Sequence, residues 1–320
     1  MALPPFPAPR TISTNGIQMA VYEQGTGVPV VFSHGFPELA YSWRRQLPAV
    51  AVAGFRAIAP DQRGYGKTEC PADVTAYDLE HLLGDLAGLL DALSIEKAVF
   101  CGHDWGGLIV WSMAQKYPDR VLGVIGVNTP FFPRAPMPPV QMMRAALGPT
   151  HYIVHFQEPG DADRRLAKDV RRTLTQLFRK GIKANGLAKQ SGGRMQPQIN
   201  LCALVEGPDV PGVPALNPEE MEIYVEAFTR TGFTGGINWY RNMDRNWEKT
   251  AELPQKITVP SLMITAEDDI ALPPAFASGM KNFVPDLETH LIKDCGHWTQ
   301  QEQPEELNRI MVDWLKRRFG

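Results

Sequence analysis

The sequence predicts an α/β fold with a mostly parallel central sheet, helices on both of its faces, and an inserted helical cap. Three observations carry this. From residue 17 to 130, short β-branched apolar runs alternate with helical periodicity, as a βαβ arrangement requires. After Asn128 the rhythm stops among Pro130, Pro133, Pro136, Pro138 and Pro139. Sheet character then returns at Val259 and persists towards the end of the chain. The expected division is a core of residues 1–130 and 251–320, with a cap of residues 131–250.

Taken in order, the strand candidates are Ile17 to Tyr22, Val28 to Phe32, Ala57 to Ala59, Ala98 to Cys101 and Val121 to Val127. Between them Leu79, Leu82, Leu83, Leu86, Leu89, Leu90 and Leu93 recur at spacings of three and four, the buried face of an amphipathic helix. In the insertion, an Arg-rich stretch from about Ala162 to Lys183 reads as helical, and Gly192 to Pro218 as a Gly/Pro-rich connection. Asn217, Pro218 and Glu220 supply a cap, a first-turn proline and a capping-box acid for another helix. Val259 to Thr265 and His290 to Ile292 are the last strands, and Pro304 to Arg318 the closing helix.

Composition narrows the function. The 320 residues are 44% apolar and 21% charged, ordinary for a globular enzyme. Lysine and arginine number 32 against 35 acids, so there is no general basic surface for nucleic acid or anionic lipid. The basic run Arg164, Arg165, Lys168, Arg171 and Arg172 is interleaved with Asp161, Asp163 and Asp169, the pattern of a solvated helix face. Apolar stretches such as Val121 to Val127 are too short to span a bilayer. Met1 to Arg10 carries four prolines and lacks the plan of an export signal, so a soluble, cytoplasmic protein is expected. Cys70, Cys101, Cys202 and Cys295 form no CxxC pair and read as free buried thiols, with no metal or cofactor indicated.

Chemistry concentrates at four strand ends. In Val99-Phe100-Cys101-Gly102-His103-Asp104-Trp105-Gly106-Gly107, a strand, a tight turn and a helix follow one another, the context of a G-x-S-x-G nucleophile elbow. The central residue is Asp104 rather than serine. Val30 to Phe32 likewise runs into Ser33-His34-Gly35-Phe36-Pro37-Glu38, a turn able to aim a backbone N–H at that elbow. The N–H groups of Phe36 and Trp105 are therefore the expected oxyanion hole, and His34 is read as structural. Glu267, Asp268 and Asp269 follow one later strand and His297 the next, giving the chain order nucleophile, acid, base at the strand edge where ligands bind.

Together, His34-Gly35-Phe36-Pro37-Glu38, Asp61-Gln62-Arg63-Gly64-Tyr65-Gly66, Gly102 to Gly107, Asn238-Trp239-Tyr240-Arg241-Asn242 and Gly296-His297-Trp298 resemble the blocks of epoxide hydrolases of the α/β-hydrolase family. The similarity extends over residues 17 to 320 and is to the soluble epoxide hydrolase domain, without the N-terminal phosphatase domain of some members. The resemblance implies an α/β-hydrolase fold and a small-molecule epoxide and water as substrates, with no cofactor. It also implies Asp104 as nucleophile, His297 as the base activating water, and Asp269 rather than Asp268 as the acid orienting it. Tyr240 is implied as a proton donor to the epoxide oxygen, and Tyr152, Trp105 and Trp298 as substrate-contacting residues.

One position departs from that pattern. Where the family has a second lid tyrosine before Phe-Gln-x-Pro, this chain has His155, followed by Phe156-Gln157-Glu158-Pro159. Neutral imidazole retains one N–H donor, so His155 is the expected second donor, with Tyr152 three residues earlier as its surrogate. A haloalkane or haloacid dehalogenase shares the aspartate and histidine, with Trp105 able to hold a halide. Yet Phe36 replaces the amide that resembles the halide clamp, and the Tyr240 block suits an alkoxide leaving group. A non-catalytic ligand-binding scaffold of this fold would be expected to have lost one of the three catalytic members. The sequence leaves monomer and homodimer equally open.

Overall fold

The computed structural model describes residues 5–182 and 199–320. In chain order its strands are Arg10–Thr14 (β1), Ile17–Gln24 (β2), Val28–Ser33 (β3), Phe55–Pro60 (β4), Ala98–His103 (β5) and Val121–Val127 (β6). A small ladder, Arg179–Lys180 (β7) with Val213–Pro214 (β8), stands apart, and Ser261–Ala266 (β9) and Leu287–Ile292 (β10) follow. The central sheet has the order β1-β2-β4-β3-β5-β6-β9-β10. Its first three strands pair antiparallel and the rest parallel.

The first strand is absent from the expected set. β1 and β2 are joined by Asn15 and Gly16, both at positive φ (42° and 78°), the two-residue turn whose twist suits a hairpin. Helices cover both faces. Gln46–Val52 (α1) packs on one side; Leu79–Ala92 (α2) and Trp105–Lys116 (α3) pack on the other. In α2, Asp78 caps the start by accepting from His81 N–H, while Leu82, Leu83, Leu86, Leu89 and Leu90 are buried. Each buried leucine is worth about 1.5–3 kcal/mol against exposure.

Between β6 and β9 the described residues add no strand to the central sheet. The chain forms Pro139–Leu147 (α4), Tyr152–His155 (α5), Asp161–Ala167 (α6), Val170–Leu177 (α7), Leu201–Glu206 (α8), Pro218–Thr231 (α9), Thr234–Arg241 (α10) and Met243–Lys249 (α11). The helical stretch expected from Ala162 to Lys183 begins as two helices, separated where Asp169 leaves helical geometry (φ −143°, ψ 90°) to cap α7. After Leu177 the chain is β7, and Lys183 lies outside the described residues. The expected connection from Gly192 is described only from residue 199, where Asn200 caps α8. At α9 the capping box is formed by Asn217 and Glu220, which exchange side-chain bonds with each other's N–H at 2.8 and 2.9 Å.

Two ionic clusters, each with a buried carboxylate, fasten this segment to the elements that flank the sheet. Glu220 meets Arg44 at 2.7 Å, with side chains 8% and 4% exposed. Asp78, buried at the head of α2, accepts from Arg245 at 3.0 Å and Lys249 at 2.9 Å on α11. The chain closes with Thr299–Glu302 (α12) and Pro304–Phe319 (α13), the latter packing beside α1. Of the four cysteines expected to be buried thiols, Cys70 is exposed. Among the described residues, no helix is long and apolar enough to cross a membrane.

Candidate active site

The site sits where the strand order reverses. From β3 the chain passes to β4 on one side and returns to β5 on the other, so the turns after β3 and β5 open side by side at the carboxyl edge. Asp104 occupies the second turn at φ 52°, ψ −123°, a conformation a non-glycine residue adopts only when its surroundings impose it. They do so here. A Cβ on Gly102 would collide with the carbonyl of Gly106, and one on Gly106 with the carbonyl of Ser33. The turn is also tied by Thr129 Oγ1, which donates to the Asp104 carbonyl at 2.8 Å.

Phe36 N–H donates to Asp104 Oδ1 at 2.8 Å, and the Trp105 N–H at the start of α3 is directed at the same carboxylate. Both expected oxyanion donors thus converge on Asp104. Its other oxygen, Oδ2, lies 3.9 Å from His297 Nε2. His297 Nδ1 meets Asp269 Oδ2 at 3.0 Å. Asp269, rather than Asp268, is the acid beside this histidine, because the turn after β9 lets its carboxylate accept N–H bonds from Ala271 and Leu272, both 2.9 Å.

Electrostatics in this cluster are strongly coupled. Burial raises the pKa of Asp104, against the cationic influence of His297 and His103 and its two N–H donors. Burial also opposes the charge of Asp269, but His297 and the hydrogen bonds outweigh it and hold the acid at about 2. For His297, burial disfavours protonation, yet Asp269 first and Asp104 next raise its pKa to about 9. Asn128 was missed by the sequence reading. At φ 61° after β6, its amide donates to Asp269 Oδ2 at 2.6 Å and its own oxygen accepts from Thr299 at 2.7 Å. An asparagine directly after a buried strand was the available signal, since it tolerates this backbone region.

Above Asp104 lies a cavity of two lobes, about 800 and 780 Å³, which share Asp104, Tyr152 and Tyr240 at their junction. Volumes of this order suit small organic ligands. Phe36, His297 and Trp298 line the first lobe; Trp105, Leu108, Phe132 and Met143 line the second. Tyr240, on α10, packs edge-on to Trp105 with ring centroids 5.1 Å apart, and to Tyr152 at 5.7 Å. The Tyr152 phenol is directed at that of Tyr240, and burial followed by the Asp104 charge pushes both well above their ordinary pKa. Both remain protonated donors at neutral pH. Trp298 donates its indole N–H to the Leu177 carbonyl at 2.8 Å, joining the His297 turn to α7.

His155 is placed elsewhere. Its Nε2 meets Asp161 Oδ2 at 2.8 Å, and it lines neither lobe. The expected order of the two candidates is therefore reversed by geometry: Tyr152, one turn earlier on α5, faces the cavity. The acid at the head of α6 holds the imidazole away from it.

Fold and site together define an α/β hydrolase with a carboxylate at the elbow and two phenols opposite. Residues 28–304 match the family described as alpha/beta hydrolase fold. The chain is 44% identical over 321 residues to epoxide hydrolase A of Mycobacterium tuberculosis, covering 97% of each protein. It is 42% identical over 308 residues to bifunctional epoxide hydrolase 2 of Sus scrofa, covering 94% of this chain and 54% of that protein, so it spans about half the length of that relative. The crystal structure of epoxide hydrolase A from Mycobacterium thermoresistibile superposes with a TM-score of 0.87 at 41% identity, covering 97% of this chain and 98% of that one. The chain belongs to the α/β-hydrolase family, and within it to the epoxide hydrolases.

Proposed function

We propose that the protein hydrolyses epoxides to vicinal diols through a covalent ester on Asp104. The observation that carries this reading is the pair of protonated phenols, Tyr240 and Tyr152, facing a carboxylate across the junction of two apolar lobes. An epoxide oxygen leaves as an alkoxide unless it is given a hydrogen bond or a proton, and two donors opposite the nucleophile supply both. Because Oδ1 is held by Phe36 N–H, Oδ2 is the oxygen free to attack carbon. Splitting the reaction through an ester replaces one difficult step by two easier ones.

Ester formation removes the Asp104 charge. His297 thereby loses one of the anions that raise its pKa, and it sheds a proton as the alkoxide takes one up. The neutral imidazole, oriented by Asp269, then draws a proton from water attacking the ester carbonyl. Oδ1 becomes the oxyanion between the two N–H groups, where loss of one donor typically costs about 2.7–4 kcal/mol. Lobes opening on both sides of Asp104 favour an epoxide substituted on both carbons, one apolar arm in each.

Dehalogenation is the second reading, and the Trp105 indole beside the carboxylate is what favours it. That indole is directed at the Tyr240 hydroxyl, which supports alkoxide rather than halide departure. A single turnover in oxygen-18 water with an aryl epoxide, and a haloalkane as control, tests the proposal. Label entering the Asp104 carboxylate is expected. Label wholly in the diol would indicate direct attack by water, and turnover of the haloalkane alone would install the second reading.

A further inference from the structure

Beside the two phenols stands an imidazole that the proposed reaction does not use. His151 directly precedes α5 and is 3% exposed. Its backbone starts the helix: at φ −61°, ψ 135° the carbonyl accepts the N–H groups of Val154 and His155, both at 2.9 Å. The side chain does not cap that helix, as a serine or aspartate at this position does. Instead the ring packs against Tyr152, with centroids 4.8 Å apart, and lines the second lobe of the cavity.

Burial holds the His151 pKa down at about 4, so the ring is neutral at neutral pH, with one nitrogen a donor and the other an acceptor. Its Nδ1 is buried and makes no hydrogen bond among the described residues. The other polar side chains of that lobe each have a protein partner. Ser112 donates to the Leu108 carbonyl at 2.8 Å and Gln255 to that of Leu253 at 2.9 Å, while Asn246 accepts the Leu79 N–H at 2.7 Å. Trp247 donates to the Ala135 carbonyl at 2.8 Å. A buried polar atom without a partner is costly, and a wholly apolar ligand in this lobe leaves Nδ1 in that state.

We propose that His151 is a specificity-determining subsite of the second lobe, receiving a hydroxyl on the substrate arm that lies there, so that epoxy-alcohols are preferred to plain alkyl epoxides. The inference rests on the proposed epoxide reading. A hydroxyl both donates and accepts, and therefore pairs with Nδ1 in either tautomer of the neutral ring. A carbonyl or ether oxygen only accepts and suits one tautomer alone. A neutral ring also offers no charge to draw in a carboxylate. Tyr152 packs against both His151 and Tyr240, at 4.8 and 5.7 Å between centroids, which places the hydroxyl near the oxirane rather than at the far end of the arm.

The test uses a homologous series of epoxy-alcohols in which the hydroxyl moves stepwise away from the oxirane, each paired with the analogue bearing hydrogen in its place. For the best member, wild-type kcat/KM should exceed that of its analogue by at least about tenfold, because the analogue leaves a buried nitrogen unpaired. In His151→Phe the ratio should fall to within about threefold of unity, whatever the change in absolute rate. A ratio near unity throughout the series in the wild type means that water serves Nδ1 and overturns the proposal. An undiminished ratio in His151→Phe marks a purely structural ring and overturns it too. No turnover of any epoxide, hydroxylated or not, by the wild-type protein would instead refute the epoxide reading. Nitrogen-15 NMR of Asp104→Asn, which cannot be alkylated, survives if His151→Phe fails to fold. The His151 ring signals should move further with the epoxy-alcohol than with its analogue, and equal movement would overturn the assignment.

Discussion

Asp104→Asn should lower the pKa of His297, by an amount set by the charge removed. Asp104 Oδ2 and His297 Nε2 are 3.9 Å apart. Unit charges at that distance interact by about 4 kcal/mol at an effective dielectric of 20, equivalent to about three pKa units. The two side chains are 15% and 16% exposed, so solvent screens part of this. A fall of about two units from the wild-type value of about 9 is expected, with Asp269 still in place. The amide has nearly the shape of the carboxylate and, like the ester, bears no charge. The variant therefore reports the state of His297 after alkylation. Titration of nitrogen-15-labelled histidine between about pH 5 and 10 measures it. The stability sign is also fixed. A pKa raised on folding stabilises fully below the unfolded value of about 6.5, and that contribution is lost as pH rises through about 9. Asp104→Asn should flatten that alkaline decline. If His297 titrates within about one unit of wild type in the variant, Asp104 is not what holds its proton, and the charge-coupled switch is wrong.

Tyr240→Phe and Tyr152→Phe should each slow alkylation by about a hundredfold, whereas His155→Phe should change it by less than about threefold. Stopped-flow fluorescence compares them, and a large loss at His155 would reject Tyr152 as second donor. Glu220→Ala should destabilise by about 3–5 kcal/mol, since it strands the Arg44 guanidinium in a buried site; urea unfolding reads this, and a loss below about 1 kcal/mol would refute a structural role for the pair. Asp269 and Glu38 are both held at about 2. Their contribution to stability should be complete above about pH 5 and lost as pH falls towards 2. Melting temperatures across that range should show a shallower acid limb in Asp269→Asn.

The candidate site was legible as a cluster because its residues are bound to sequence-local devices. Gly102 and Gly106 announce the turn, and the acids and histidine directly follow apolar β-branched runs. Those short motifs also fix which strand edge each side chain occupies. The helical insertion was legible in outline but not in detail. Asp169 could be read as one more charge on a helix face; that it caps α7 depends on the chain breaking there, which periodicity alone does not reveal. β1 was missed because only Ile12 and Thr14 of its five residues are buried, although Asn15-Gly16 is a strong hairpin signal. His155 was misjudged for a different reason. Its neighbours in sequence match a family pattern, whereas its direction is decided by Asp161, six residues away. Asn128 is bonded to residues of distant turns, so its partners become visible only once those strand ends meet.

The backbone-imposed geometry of the elbow has an evolutionary corollary. The conformation at position 104 is enforced by Gly102, Gly106 and Thr129, none of which depends on the side chain that stands there. A mutation to serine would inherit the same exposed perch, the same pair of amide donors and the same imidazole 3.9 Å from the present carboxylate. The platform that presents the attacking atom is therefore separable from the side chain that supplies it. On the proposed reading, what separates alkyl from acyl chemistry lies above that platform, in the two phenols of Tyr152 and Tyr240.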